Sequence, residues 1–154
     1  MFYIKHELIH FMVANFLAYF ILKRKPLATE SMENSIGFSS KRAAIICLTY
    51  GIFIDVDHLF DFFLYNKGIS FNVLSFFITP YFLESGKTYV LLHGWEYAII
   101  LIVLTIFLKK HKDIYVALCL AIFGHLLMDQ FCYGMKPFKY FLFYRWWYGF
   151  GIEL

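Results

Sequence analysis

The sequence predicts an all-α integral membrane protein: a four-helix transmembrane bundle with interfacial segments. Three observations predict it. Hydrophobic residues make up 61% of the 154 residues and charged residues only 16%, whereas soluble domains are roughly 45–50% apolar, and a chain this short has too little interior to hide the excess. Four apolar runs have the length of membrane helices, which need ~20 residues. The basic residues stand between those runs, so the modest net charge of +3 is concentrated where loops are expected.

The whole chain reads as one membrane domain, 1–154. Its first span, 4–22, is apolar apart from Lys5, His6, Glu7, His10 and Asn15, and stops at Lys23-Arg24-Lys25-Pro26. A secretory signal would carry its positive charge before the apolar run, so a retained span is expected. A polar loop over 27–40 closes on Lys41-Arg42, and the second span follows at 43–65. Asn66-Lys67-Gly68 is a turn signal. The apolar stretch 69–83, with Asn72 inside and Pro80 near its end, is short for a span and is expected to lie in the interface or re-enter. The third span is expected at 89–108 and the fourth at 114–133, joined by the basic turn Lys109-Lys110-His111-Lys112-Asp113. The tail 138–150 is crowded with aromatic residues around Lys139 and Arg145, the composition of an interfacial segment. Cys47, Cys119 and Cys132 sit in apolar runs without a C-x-x-C pair and read as inert thiols.

Charge sets the expected orientation. The 23–42 loop carries five basic residues (Lys23, Arg24, Lys25, Lys41, Arg42) against Glu30 and Glu33. The positive-inside rule therefore puts it, and the 109–113 turn, in the cytoplasm of an inner-membrane, multi-pass protein with both termini outside.

The stretch Ile54-Asp55-Val56-Asp57-His58-Leu59-Phe60-Asp61 stands out against this background. Ionised carboxylates inside a span cost roughly 2.5–3.5 kcal/mol or more each, so a compensating charge is expected, and Asp and His are both metal ligands. Other spans carry partners at the same depth. His10 stands 13 residues before Lys23, Asp55 13 after Arg42, Glu96 13 before Lys109, and His125 13 after Lys112. At ~1.5 Å per residue each lies about 20 Å from the inner face. The pairs His6/His10, His93/Glu96 and His125/Asp129 have spacings that share a helix face. Asp55 and Asp57, two residues apart, do not; a two-ion site or a locally bent helix would let Asp55, Asp57 and His58 all take part. The expected ligands are His10, Asp55, Asp57, His58, His93, Glu96, His125 and Asp129. His6, nearer the surface, is the weakest candidate, and Asp61 is expected to orient a ligand imidazole. Imidazole with carboxylate points to a divalent metal, zinc first, with manganese or iron also fitting.

The Asp55-Val56-Asp57-His58 motif, Gly124-His125-Leu126-Leu127-Met128-Asp129 and a histidine in the first span together resemble the predicted membrane-bound metal-dependent hydrolases. These are small inner-membrane proteins, one branch of which is LexA-regulated, grouped with zinc-dependent phospholipase C. The likeness covers roughly residues 6–135. It implies His10, Asp55, Asp57, His58, His93, His125 and Asp129 as metal ligands. Where that family commonly has H-R-G-x-T-H-S, this chain has Leu92-His93-Gly94-Trp95-Glu96, so Glu96 enters on spacing alone. The expectation is a phosphoesterase acting on a membrane lipid or lipid-linked substrate, with Asp57 or Glu96 taking a proton from water. The alternative is a non-catalytic metal-binding or metal-transport protein, which a single polar layer disfavours because an ion path needs polar groups at several depths. Membrane acid phosphatase and desaturase motifs are absent from the sequence, and no basic surface supports nucleic-acid binding.

Overall fold

A computed structural model describes residues 2–23, 40–68, 72–78, 86–108, 111–134 and 136–151. The fold is all-α. The helices are α1 (Phe2–Lys23), α2 (Ser40–Phe53), α3 (Asp57–Tyr65), α4 (Val73–Ile78), α5 (Trp95–Phe107), α6 (Lys112–Tyr133) and α7 (Leu142–Trp147), with 3-10 turns at Ile54–Val56 and Pro137–Tyr140. The loop expected over 27–40 lies outside the described residues except for Ser40. So do Lys109, Lys110 and most of 69–83, of which 72–78 is described and contains α4.

Small side chains decide how the long helices meet. α1 packs on α2 and α6, α2 on α6, and α5 on α6. The seam between α1, α2 and α6 is built from Ala18, Ala43, Ala44, Cys47, Ala117 and Ala121. A Cβ on Gly51 would come within 3.1 Å of the Ala14 Cβ. Residues this small let backbones approach closely, the usual means by which helices pack in lipid. The close approach brings His10, Asp55 and His125 together.

Both ends of α6 are fixed locally. Asp113, 1% exposed, accepts hydrogen bonds from Arg42 Nε (2.8 Å) and Nη2 (2.5 Å), tying its start to α2. Gly134 ends it at φ +64°, its N–H donating to Gln130 O, the left-handed stop that glycine alone adopts without strain.

The distribution of side chains is inside-out relative to a water-soluble protein. His6, His10, Asp55, Asp57, Asp61, His93, His125, Asp129 and Arg145 are buried, while Phe11, Met12, Phe16, Phe20, Ile99, Ile106, Phe107 and Phe131 are exposed. Two helical stretches, Lys41–Tyr65 and Lys112–Cys132, are long and apolar enough to cross a membrane, with mean hydropathies of 1.6 and 1.7.

One element departs from the sequence reading. The run 89–108 is not one helix: α5 begins only at Trp95, after an extended Gly94, and residues 88–94 form a loop. The tail 138–150 folds back so that Thr88 N–H donates to Phe150 O and Gly151 bridges Lys87.

Candidate metal centre

Buried histidine and aspartate side chains from α1, the 3-10 turn, α3, the 88–94 loop and α6 converge on one place. They form four overlapping groups that can hold a metal ion: His6/His10/Asp129, His10/Asp55/His125, Asp55/His58/His93 and His93/His125/Asp129. Chain separation is large, so the site exists only in the folded bundle.

The second span is broken where its carboxylates lie. The 3-10 turn Ile54–Val56 changes the residue spacing of a regular α-helix. Asp55 and His58 then meet on one side, Oδ1 to Nε2 at 3.5 Å. Asp57 faces the 88–94 loop instead: its Oδ2 accepts from Leu92 N–H at 2.6 Å and contacts His93 Nδ1 at 3.1 Å. Asp57 therefore joins none of the ligand groups and orients His93, the role expected of Asp61. Asp61 Oδ2 accepts from Tyr89 N–H (2.9 Å) and Val90 N–H (3.4 Å) and touches backbone rather than imidazole.

Tautomers follow from the partners. A carboxylate and a carbonyl only accept. With Asp57 Oδ2 on His93 Nδ1 and Gly51 O on His125 Nδ1 (3.1 Å), both Nδ1 atoms must donate. In neutral rings both Nε2 atoms are then bare lone pairs, yet they stand 3.0 Å apart. Asp55 Oδ1 lies 3.2 and 3.3 Å from them, and Asp129 Oδ2 3.7 and 3.6 Å. The crowding is relieved either by a proton on one imidazole, which bridges a single pair, or by a metal ion, which serves several acceptors at once. The spacing fits such an ion, because ligands ~2.0–2.1 Å from a tetrahedral centre stand about 3.3–3.4 Å apart.

A second group lies beside the first. His10 Nε2 is 3.0 Å from both His6 Nε2 and Asp129 Oδ1, and His6 Nε2 is 3.4 Å from the same oxygen. Asp129 thus offers Oδ1 to one group and Oδ2 to the other. The His10 and His125 rings stack at 3.8 Å between them.

Glu96 stands apart. Its i, i+3 pairing with His93 assumed one helix through both residues. With α5 starting at Trp95, Glu96 lies in the first turn, and its Oε1 accepts from Phe143 N–H at 3.0 Å. His93 reaches the centre from the loop instead. Two residues were under-read in the sequence. His6, 4% exposed, is a full member of a ligand group, and its i, i+4 spacing to His10 was the signal. Arg145 carried no sequence signal beyond its lone charge among aromatics. It is buried in α7 and donates from Nη1 to Tyr89 O and Val90 O (2.9 Å each) and from Nη2 to His93 O (2.5 Å). Burial lowers its pKa, while neighbouring Asp57, Glu96 and Asp61 favour the cation, and a guanidinium stays charged at neutral pH. Val90, between these bonds, sits at φ +23°, a conformation that costs a β-branched residue of order 1–3 kcal/mol and persists only when its surroundings impose it.

Comparison with known proteins finds no matching family model, no matching curated protein and no matching solved structure.

Proposed function

We propose that the chain is a four-span, inner-membrane, metal-dependent hydrolase that cleaves a phosphoester of a lipid or lipid-linked substrate. The observation that carries the metal reading is the convergence of ligand atoms within reach of one ion: His93 and His125 Nε2 at 3.0 Å, flanked by Asp55 and Asp129 carboxylate oxygens. Two ions fit the two groups, with the Asp129 carboxylate shared between them. Imidazole and carboxylate donors suit zinc, and manganese and iron as well. Divalent ions held there would polarise a phosphoryl oxygen and lower the pKa of a water toward ~7.

The membrane reading is supported by the exposed apolar faces of α1, α5 and α6. The 22 residues of α1 give about 33 Å of helix, enough to cross the hydrocarbon core. The resemblance of the D-V-D-H and G-H-L-L-M-D segments to membrane-bound metal-dependent hydrolases points the same way. In this reading Asp57 accepts a proton through Oδ1, which has no partner among the described residues, while Oδ2 holds the loop. Glu96, bound to Phe143 N–H, is not given that role.

One observation favours a second reading, a non-catalytic metal-binding protein. His10, His93, His125 and Asp129 are each at most 3% exposed, and a metal site closed to solvent is the mark of a structural one. The side chain of His58, 14% exposed, is the most open of the ligand candidates and marks where a substrate would enter.

The test presents detergent-dispersed phospholipids and generic phosphodiesters to purified wild type and Asp57→Asn, with elemental analysis of both. Metal-dependent turnover that Asp57→Asn loses by 100-fold or more is the expected result. Absence of turnover from protein that holds stoichiometric metal would establish the second reading instead.

A further inference from the structure

His93 belongs to two of the four ligand groups, yet no helix carries it. Its loop is held by side chains from elsewhere, and the polar backbone groups around it can be accounted for almost completely. Tyr89 and Val90 N–H go to Asp61, and Leu92 N–H goes to Asp57. His93 N–H donates to Val90 O across the turn, and Leu91 O accepts from the Tyr97 hydroxyl. The carbonyls of Tyr89, Val90 and His93 all accept from Arg145. Asp57 and Asp61 lie on α3, next to the centre in sequence. Arg145 comes from the far end of the chain.

We propose that Arg145 is a positioning residue of the metal centre: its guanidinium fixes the backbone of residues 89–93 and so holds the His93 imidazole against the ligand cluster. The inference rests on the metal reading above. Three features separate it from a general packing role. The guanidinium hydrogen bonds go to carbonyls and not to the nearby carboxylates, so the side chain acts as a backbone clamp rather than as half of an ion pair. One of the carbonyls is that of His93 itself, so loosening the clamp moves the ligand directly; a metal site tolerates only about 0.5 Å of such movement. The clamped turn contains Val90 at φ +23°, which springs toward an ordinary conformation once released. The clamp also makes the centre depend on α7. Trp146 and Trp147 on that helix are 62% and 70% exposed while Arg145 between Tyr144 and Trp146 is 8% exposed, so docking of one short helix buries the arginine and leaves its aromatic faces outward.

Lysine is a poor substitute, because a planar fork serves carbonyls in fixed directions and an ammonium does not. The experiment uses full-length, detergent-purified, chelator-stripped protein titrated with cobalt(II) and followed by its visible absorption. The variants are Arg145→Gln, Arg145→Lys and, as a stability control, Arg42→Gln, which breaks the pair to Asp113 about 20 Å from the centre. Amide exchange over residues 88–94 is measured in the same metal-free samples. Arg145→Gln should weaken cobalt binding at the His93/His125/Asp129 group by about 10–100-fold, as loss of an orienting partner usually does. It should leave binding at His6/His10/Asp129 within about twofold and speed exchange of the loop amides. Arg145→Lys, which keeps the charge and guards against a misfolded Gln variant, should recover only part of the affinity. Arg42→Gln should leave cobalt binding unchanged. Equal affinities in wild type and Arg145→Gln, or an equal loss in Arg42→Gln, would overturn the proposal. Wild type that binds no cobalt would overturn the metal reading, and the exchange data would still decide the clamp: unchanged loop protection in Arg145→Gln removes it.

Discussion

His125→Ala tests whether a cation, rather than packing, holds the polar core together. His125 is 2% exposed, its Nδ1 donates to Gly51 O, and its Nε2 joins two ligand groups. Its removal has two separable costs. One is local: a lost hydrogen bond and a small cavity, about 2–3 kcal/mol whether or not metal is present. The other is linkage. A cation that binds only the folded chain stabilises it by RT ln(1 + [L]/Kd), about 2.7 kcal/mol at 100-fold excess over Kd. Chelation removes that share from wild type before the mutation is made. The variant should therefore lose about 5 kcal/mol in metal and only half of that in chelator. For a chain of this size 1 kcal/mol moves Tm by roughly 2–4 °C, so the two differences should be separated by about 5–10 °C. Thermal melts of both proteins in detergent, with zinc and with chelator, measure the four values. Restoring zinc to stripped protein should raise the wild-type Tm by more than that of the variant, which keeps only the His6/His10/Asp129 and Asp55/His58/His93 groups. Equal Tm losses in the two conditions would refute the reasoning and assign His125 to packing alone.

His6→Ala should lower the metal content of the purified protein from two ions per chain to one while sparing the group around His93 and His125, as elemental analysis would show; loss of both ions would mean a single shared site. Reporter fusions placed within the 23–42 loop and after Gly151 should report opposite sides of the membrane, and a same-side result would sink the four-span arrangement.

How much of this was legible in the sequence depended on where the information lay. The all-α fold and the meeting of His and Asp side chains were legible because regular helices convert sequence spacing into face. His10, Asp55, His125 and Asp129 meet as that register required, Asp129 Oδ1 reaching His10 Nε2 at 3.0 Å and Asp55 Oδ1 reaching His125 Nε2 at 3.3 Å. The i, i+3 pairing of His93 with Glu96 failed, because the apolar run reaches back to Tyr89 but α5 begins only at Trp95. Nothing in Tyr89-Val90-Leu91-Leu92 breaks a helix. Tertiary partners override the local preference: the Tyr89 and Val90 carbonyls, which a helix would offer to the N–H groups of residues 93 and 94, accept from Arg145. Asp57, and not Asp61, orients an imidazole, which follows from the ~200° between Asp55 and Asp57 on a helix: Asp55 faces the cluster and Asp57 the loop. Arg145 was illegible for another reason: its bonds are to carbonyls, which have no side-chain identity for a sequence reading to match.

The polar centre and the small-residue seam are parts of one argument about stability. In the proposed membrane setting, a bundle whose outward faces are apolar gains little from the hydrophobic effect, so close packing and polar contacts must hold it. Ala14, Ala18, Gly51, Ala117 and Ala121 bring α1, α2 and α6 into contact. That same approach crowds Asp55, Asp129 and five imidazoles into a space from which water is largely excluded. Without a cation the crowding opposes the packing, since acceptors at 3.0–3.7 Å repel. With one, each ligand becomes a cross-link between helices far apart in sequence: His10 in α1, Asp55 between α2 and α3, His93 before α5, and His125 and Asp129 in α6. Bundle stability and metal occupancy are then one equilibrium. Gly51→Ala, whose Cβ would meet Ala14 Cβ at 3.1 Å, would widen the seam and shift the carbonyl that holds His125 Nδ1, and so act on the His/Asp cluster without removing a ligand.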